Sequence, residues 1–118
     1  MVALISDVDL SEIAPLILDT IPVGITLTDP DGRILYFNRY SAEILDRKPA
    51  YIGRDVRRCH NETDSISKID HILAEFKRGG CSEFYYEATR GGTDFAVTVR
   101  PLKRQGRLLG CIHSVVIK

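Results

Sequence analysis

Thr28-Asp29-Pro30-Asp31-Gly32-Arg33-Ile34-Leu35-Tyr36-Phe37-Asn38 is the stretch on which the fold turns. Proline presets one backbone angle, and the Asp31-Gly32 pair tolerates the left-handed angles that reverse a chain. Upstream, Ile25 and Leu27 alternate with Thr26 and Thr28, the period of a half-buried strand. Downstream, Arg33 to Phe37 reads as a second strand that Asn38 ends. Residues 23–37 are therefore predicted to form a β-hairpin.

Outward from the hairpin, a helix is predicted over 11–20, capped by Asp9 or Ser11 and stopped by Pro22. Ile13, Leu16 and Ile17 lie along one side of it. Residues 39–46 read as a short helix offering Ala42, Ile44 and Leu45 to the core, and Pro49 and Gly53 bracket an irregular segment. The strongest helical pattern covers 65–78, where Ile66, Ile69, Ile72, Leu73 and Phe76 make one stripe and Gly79-Gly80 terminates it. Strands are predicted over 81–90, 94–102 and 108–117, separated by Gly91-Gly92 and Gln105-Gly106. One helix, two strands, helices and three strands make an α+β domain with an antiparallel sheet. A chain of 118 residues is one domain's worth.

Sixteen basic residues balance sixteen acidic ones, which argues against direct nucleic-acid binding. The basic clusters (Arg54, Arg57, Arg58; Lys77, Arg78; Lys103, Arg104, Arg107) read as solvated surface. No apolar run approaches the ~20 residues of a membrane span. No secretory leader is visible, and a cytoplasmic chain is expected. Three dispersed cysteines suggest free thiols. No Gly-x-Ser-x-Gly elbow, phosphate loop or dinucleotide fingerprint is present, so no enzymatic activity is expected.

The hairpin residues, Ile52-Gly53-Arg54 and Gly106-Arg107-Leu108-Leu109-Gly110, in this order and spacing, resemble the PAS domain family. The resemblance implies a single PAS domain over 1–118, with an N-terminal helix at 11–20 and a PAS core at 23–117. The family fold is a five-stranded antiparallel sheet, spatial order 2-1-5-4-3, with short helices covering one face and enclosing a pocket. Within the family, Gly53 to His60 resembles a sensory subgroup with a Cys-His pair after the Ile-Gly step; Asn61-Glu62 stands where that subgroup has proline. The flavin photosensor motif Asn-Cys-Arg-Phe-Leu-Gln is missing.

The pocket implied by the resemblance is lined by Leu27, Phe37, Asn38, Ile44, Ile52, Cys59, His60, Ile69, Phe95, Val97 and Ile112. Several haem-binding PAS regulators take an axial histidine from this half of the fold, which makes His60 the candidate ligand for haem b; the cofactor is otherwise unknown. The bland alternative for His60 is a loop residue that caps the next helix or faces water. Cys59 is either a thiolate whose pKa Arg57 and Arg58 would lower, or a small buried residue. His71 falls opposite the apolar stripe of its helix and should face solvent. In the last strand, the family parity turns Ile112 and Ser114 into the pocket, leaving His113 toward the N-terminal helix or a partner subunit. The implied function is a sensory module that binds a small molecule or cofactor and relays a signal to an effector domain in a longer protein, in signal transduction or transcription regulation. A homodimer is expected. The alternatives are a ligand-free PAS dimerisation module and a haem-based gas or redox sensor.

Overall fold

The structure, a computed structural model, describes residues 4–5, 8–59 and 63–118. A two-residue pairing of Leu4–Ile5 with Val8–Asp9 precedes helix α1 (Leu10–Thr20). Then follow β1 (Gly24–Thr28), β2 (Ile34–Phe37) and α2 (Arg39–Leu45). Two 3-10 turns, Pro49–Tyr51 and Val56–Cys59, lead to α3 (Thr63–Arg78). The chain ends with β3 (Phe84–Arg90), β4 (Thr93–Arg104) and β5 (Arg107–Ile117). The five long strands form one antiparallel sheet in the order β2-β1-β5-β4-β3, the PAS arrangement.

Local chemistry explains the hairpin. Asp29 Oδ1 accepts from the backbone N–H groups of Asp31 and Arg33, each at 2.9 Å. Gly32 holds φ +94°, and a Cβ there would stand 3.1 Å from Leu73 Cδ1, so the turn packs directly on α3. The outer edge of β2 is covered by the Ile-Gly segment. Ile34 N–H donates to the Arg54 carbonyl (2.8 Å), Gly53 N–H to that of Ile34 (2.7 Å) and Val56 N–H to that of Gly32 (2.7 Å).

The apolar stripe of α3 does what its spacing predicts. Ile69, Ile72, Leu73 and Phe76 are buried against Phe95, Val97 and Val99 of β4, Cys111 and Val115 of β5, and Ile34 and Val56. Two boundaries move. Helix α3 starts at Thr63, two residues before the expected start; Thr, Asp and Ser are all capping types, so residue type does not choose between them. Strand β3 starts at Phe84 rather than at Cys81, whose side chain packs at the core margin.

One expectation is reversed. Thr26 pairs with His113, and His113 with Val99, placing all three in one row across the sheet. That row faces the helices, because Thr26 Oγ1 lies 3.1 Å from Ser41 Oγ of α2. His113 is therefore buried in the layer between sheet and helices. Leu27 and Ile112, paired with each other, take the opposite face, and Ser114 shares it. The cause lies in β5 itself: its two faces carry Cys111, His113, Val115 and Ile112, Ser114, Val116, and neither set is decisively more apolar.

Candidate functional site

Between the sheet and helices lies a polar seam inside an otherwise aliphatic layer. Thr26, Thr28, Ser41 and His113 are buried there. Ser41 arrives on α2, whose N-cap is Asn38. Arg47, two residues beyond that helix, reaches back so that its Nε donates to Thr26 Oγ1 at 3.0 Å. The same guanidinium favours the ionised form of the Tyr86 phenol, whose pKa burial otherwise raises. Thr28 is fully buried, and its hydroxyl makes no hydrogen bond of ordinary geometry; its polar neighbour is the thiol of Cys111, directly across the strand pair. A thiol is a weak partner for a hydroxyl.

The residues expected to line a pocket separate into groups. Phe37, Ile44, Ile69, Phe95 and Val97 do come together in or against the core layer. Leu27 and Ile112 do not, because register sends them to the other face. Ile52 is 47% exposed, just past the first 3-10 turn; Val56 is the buried apolar residue of that segment. Asn38 is a joint. Its Oδ1 accepts from Ile25 N–H (2.9 Å) and Ser41 N–H (3.0 Å), and its Nδ2 donates to the carbonyls of Leu18 (2.6 Å) and Val23 (2.8 Å). Those bonds use the whole capacity of a side-chain amide. They tie α1, β1 and α2 together and leave nothing for a ligand.

His60 and the Cys59 side chain lie outside the described residues, so a test of haem rests on the other histidines. His71 is exposed on α3, edge-on to Phe84 with ring centroids 5.5 Å apart. His113 sits in a closed row between Thr26 and Val99. Neither fits an axial ligand. Among the described residues, no group of three or more His, Cys, Asp or Glu could hold a metal ion.

One basic cluster is more than solvated surface. Arg57 Nε and Nη2 grip both oxygens of Asp55 (2.8 and 2.7 Å), Nη1 meets Asp70 Oδ1 (2.5 Å) and Nη2 the carbonyl of Asp31 (2.8 Å). This fork holds the hairpin turn, the second 3-10 turn and α3 together. It pushes the Asp55 carboxyl below its ordinary range, the hydrogen bonds from Arg57 being the chief cause. The spacing of Arg57 in the sequence carries no sign of these partners.

No curated protein matches the sequence. Several solved structures share the fold. A C-terminal domain from Streptococcus mutans is 22% identical with a TM-score of 0.77, over 99% of this chain and 92% of that one. The PAS domain of the histidine kinase ThkA is 17% identical with a TM-score of 0.65, over 81% of this chain and 99% of that one. The PAS domain, in complex with ethanol, of a LuxR-family transcriptional regulator from Burkholderia thailandensis is 20% identical with a TM-score of 0.64, over 86% of this chain and 94% of that one. A PAS domain family matches residues 15–116. With that match over most of its length and the strand order of its sheet, the chain belongs to the PAS domain family.

Proposed function

We propose that this chain is the sensory input module of a longer signalling protein. It takes up a small molecule between its sheet and helices and passes the event, through the sheet or the terminal segments, to an effector such as a kinase or a transcription regulator. It performs no catalysis, binds no nucleic acid directly and works in the cytoplasm. Among the described residues, no helix is long and apolar enough to cross a membrane.

The Thr28 hydroxyl carries this reading: it is wholly buried in the layer between sheet and helices and without an ordinary hydrogen-bond partner. Leaving such a group unsatisfied costs about 1–3 kcal/mol, so valine would serve a purely structural domain better. A polar group kept at that cost suits a ligand that satisfies it. The similar PAS domains from a histidine kinase and, with ethanol, from a transcriptional regulator are consistent with such a role.

The test is Thr28→Val. The isosteric change should raise stability by about 1 kcal/mol in urea melts and remove the Tm shift that a small-molecule panel produces in the unaltered chain. If no compound shifts the unaltered chain and effector output is the same with Val, the binding reading fails.

A second reading has its own observation. Helix α1 buries no residue, and Leu16 and Ile17 are 63% and 42% exposed. A second copy of the chain covering this face would make the domain a homodimer, with or without a ligand. Light-scattering mass should then rise with concentration toward twice the chain mass, and Leu16→Glu should hold it at the monomer value. A monomer at every concentration overturns the dimer.

A further inference from the structure

A separate feature lies beyond the inner layer. The end of α2, the segment 51–58 and the tip of the β3–β4 hairpin enclose a cleft of about 230 Å³, lined by Leu45, Asp46, Tyr51 and four arginines: Arg47, Arg54, Arg58 and Arg90. We propose that this cleft binds a small organic anion bearing two or more carboxylate or phosphate groups.

Charge makes the first argument. The chain has as many acids as bases, yet among the described residues Asp46 is the one carboxylate that lines the cleft, against four guanidinium groups. Five cations elsewhere, Arg57, Lys77, Arg78, Arg100 and Lys118, each pair with a carboxylate. Among the described residues, Arg54, Arg58 and Arg90 form no such pair. The carboxylate whose charge couples to Arg58 is Asp55, and Arg57 already holds both of its oxygens. Like charges gathered into a concave site repel one another and focus a positive potential on whatever enters. A bound oxyanion relieves that repulsion, and the guanidinium fork matches carboxylate and phosphate alike.

Shape makes the second. A larger depression beside Ser82, Glu83, Arg100, Pro101 and Lys103 is open to solvent, and its Arg100 and Glu83 neutralise each other at 2.7 Å. The arginine cleft is the more enclosed of the two. Its volume is below the roughly 300–1,000 Å³ of sites for drug-sized ligands, so a metabolite-sized molecule fits. The Arg54 guanidinium lies over the Tyr51 ring, 5.4 Å from its centroid, a contact that favours the cation's place in the cleft lining.

The cleft also has a route inward, since Arg47 lines it and donates to Thr26 in the polar seam. An anion that draws Arg47 toward itself weakens that hydrogen bond. Binding stands independently of the sensory reading; only this consequence rests on it.

The experiment is calorimetric titration of the full chain with citrate and with pyrophosphate at low salt, with acetate as the single-charge control. Citrate, pyrophosphate or both should bind with a stoichiometry of one, more weakly as salt rises, and acetate should not bind measurably. Which probe binds tells a carboxylate ligand from a phosphate one. Arg54→Gln and Arg90→Gln, on different elements and checked for an unchanged melt, should each weaken binding at least about tenfold. Arg100→Gln should leave it unchanged. No binding of either probe, no loss in the cleft variants, or an equal loss in Arg100→Gln would overturn the site. Binding that persists while effector output ignores the anion keeps the site and removes its sensory consequence.

Discussion

At position 111 the sheet holds a thiol with no access to water. Burial disfavours the thiolate and pushes the pKa from an ordinary 9.0 up to about 11, the Thr28 hydroxyl pulling weakly the other way. The sign of the pH effect follows. Below pH 9 the thiol is protonated whether the chain is folded or not, and its contribution is fully present. Between the two pKa values the unfolded chain gives up its proton first, so stability falls as pH rises. The whole loss is about 2–3 kcal/mol by linkage, complete above pH 11. Tyr86, also raised by burial, loses its contribution over a higher range, so the natural chain must be compared with Cys111→Ala. Urea midpoints measured from pH 8 to 11 should fall less steeply for the variant. Parallel curves would mean that the thiol titrates as in water and the layer around it is not dry.

Among the elements, β5 shows how a single glycine fixes a strand's place. A Cβ on Gly110 would meet the Thr28 carbonyl oxygen, so the strand can lie against β1 there only without a side chain. Gly110→Ala should cost about 3 kcal/mol, the upper end for overpacking. Gly53→Ala is the control: φ is +87° but nothing stands within 4 Å, so the variant's only cost is the backbone strain it introduces, about 1 kcal/mol. Equal losses in the two urea melts would remove the close approach as the reason for glycine. The same elements show what a sequence can and cannot display. The hairpin and α3 were legible because turn chemistry and the 3.6-residue period are local. Strand order came from resemblance, since no short-range signal pairs residues 24–28 with 111–115. The family parity predicts the reverse of the facing that β5 takes, and the strand's own pattern cannot correct it because both its faces are apolar enough to be buried. Nor could the arginine cleft be foreseen: its cations lie on segments that only the tertiary fold brings together. Asn38 looked like a strand end, and its role depends on a carbonyl at Leu18.

The molecule as a whole is less compact than its length requires. Its radius of gyration is 15.0 Å, against about 13.5 Å for a spherical domain of this size. Helix α1 buries no residue of its own. Its ties to the rest include the Leu18 carbonyl on Asn38 and Asp19 Oδ1, which accepts from Arg39 N–H at 2.9 Å. Both ties are polar and both end on the start of α2, so they hold the helix in place without adding apolar burial. By contrast, the rows through Val99, Cys111 and Val115 are closed on one side by α3 and joined on both sides by strands. Opening free energy follows buried apolar contact, so α1 should open far more often than the sheet. Amide exchange of the unliganded chain at neutral pH should show residues 13–20 exchanging at least about a hundredfold faster than 95–99 and 111–115, relative to their unstructured rates. Covering α1 with a second copy would narrow that gap as concentration rises, whereas an anion in the arginine cleft would slow exchange around 45–58 and 90 and leave α1 unchanged. Protection of α1 equal to the sheet at the lowest concentration would show that the helix belongs to the same cooperative unit, and that its exposed leucine and isoleucine are not what governs its stability.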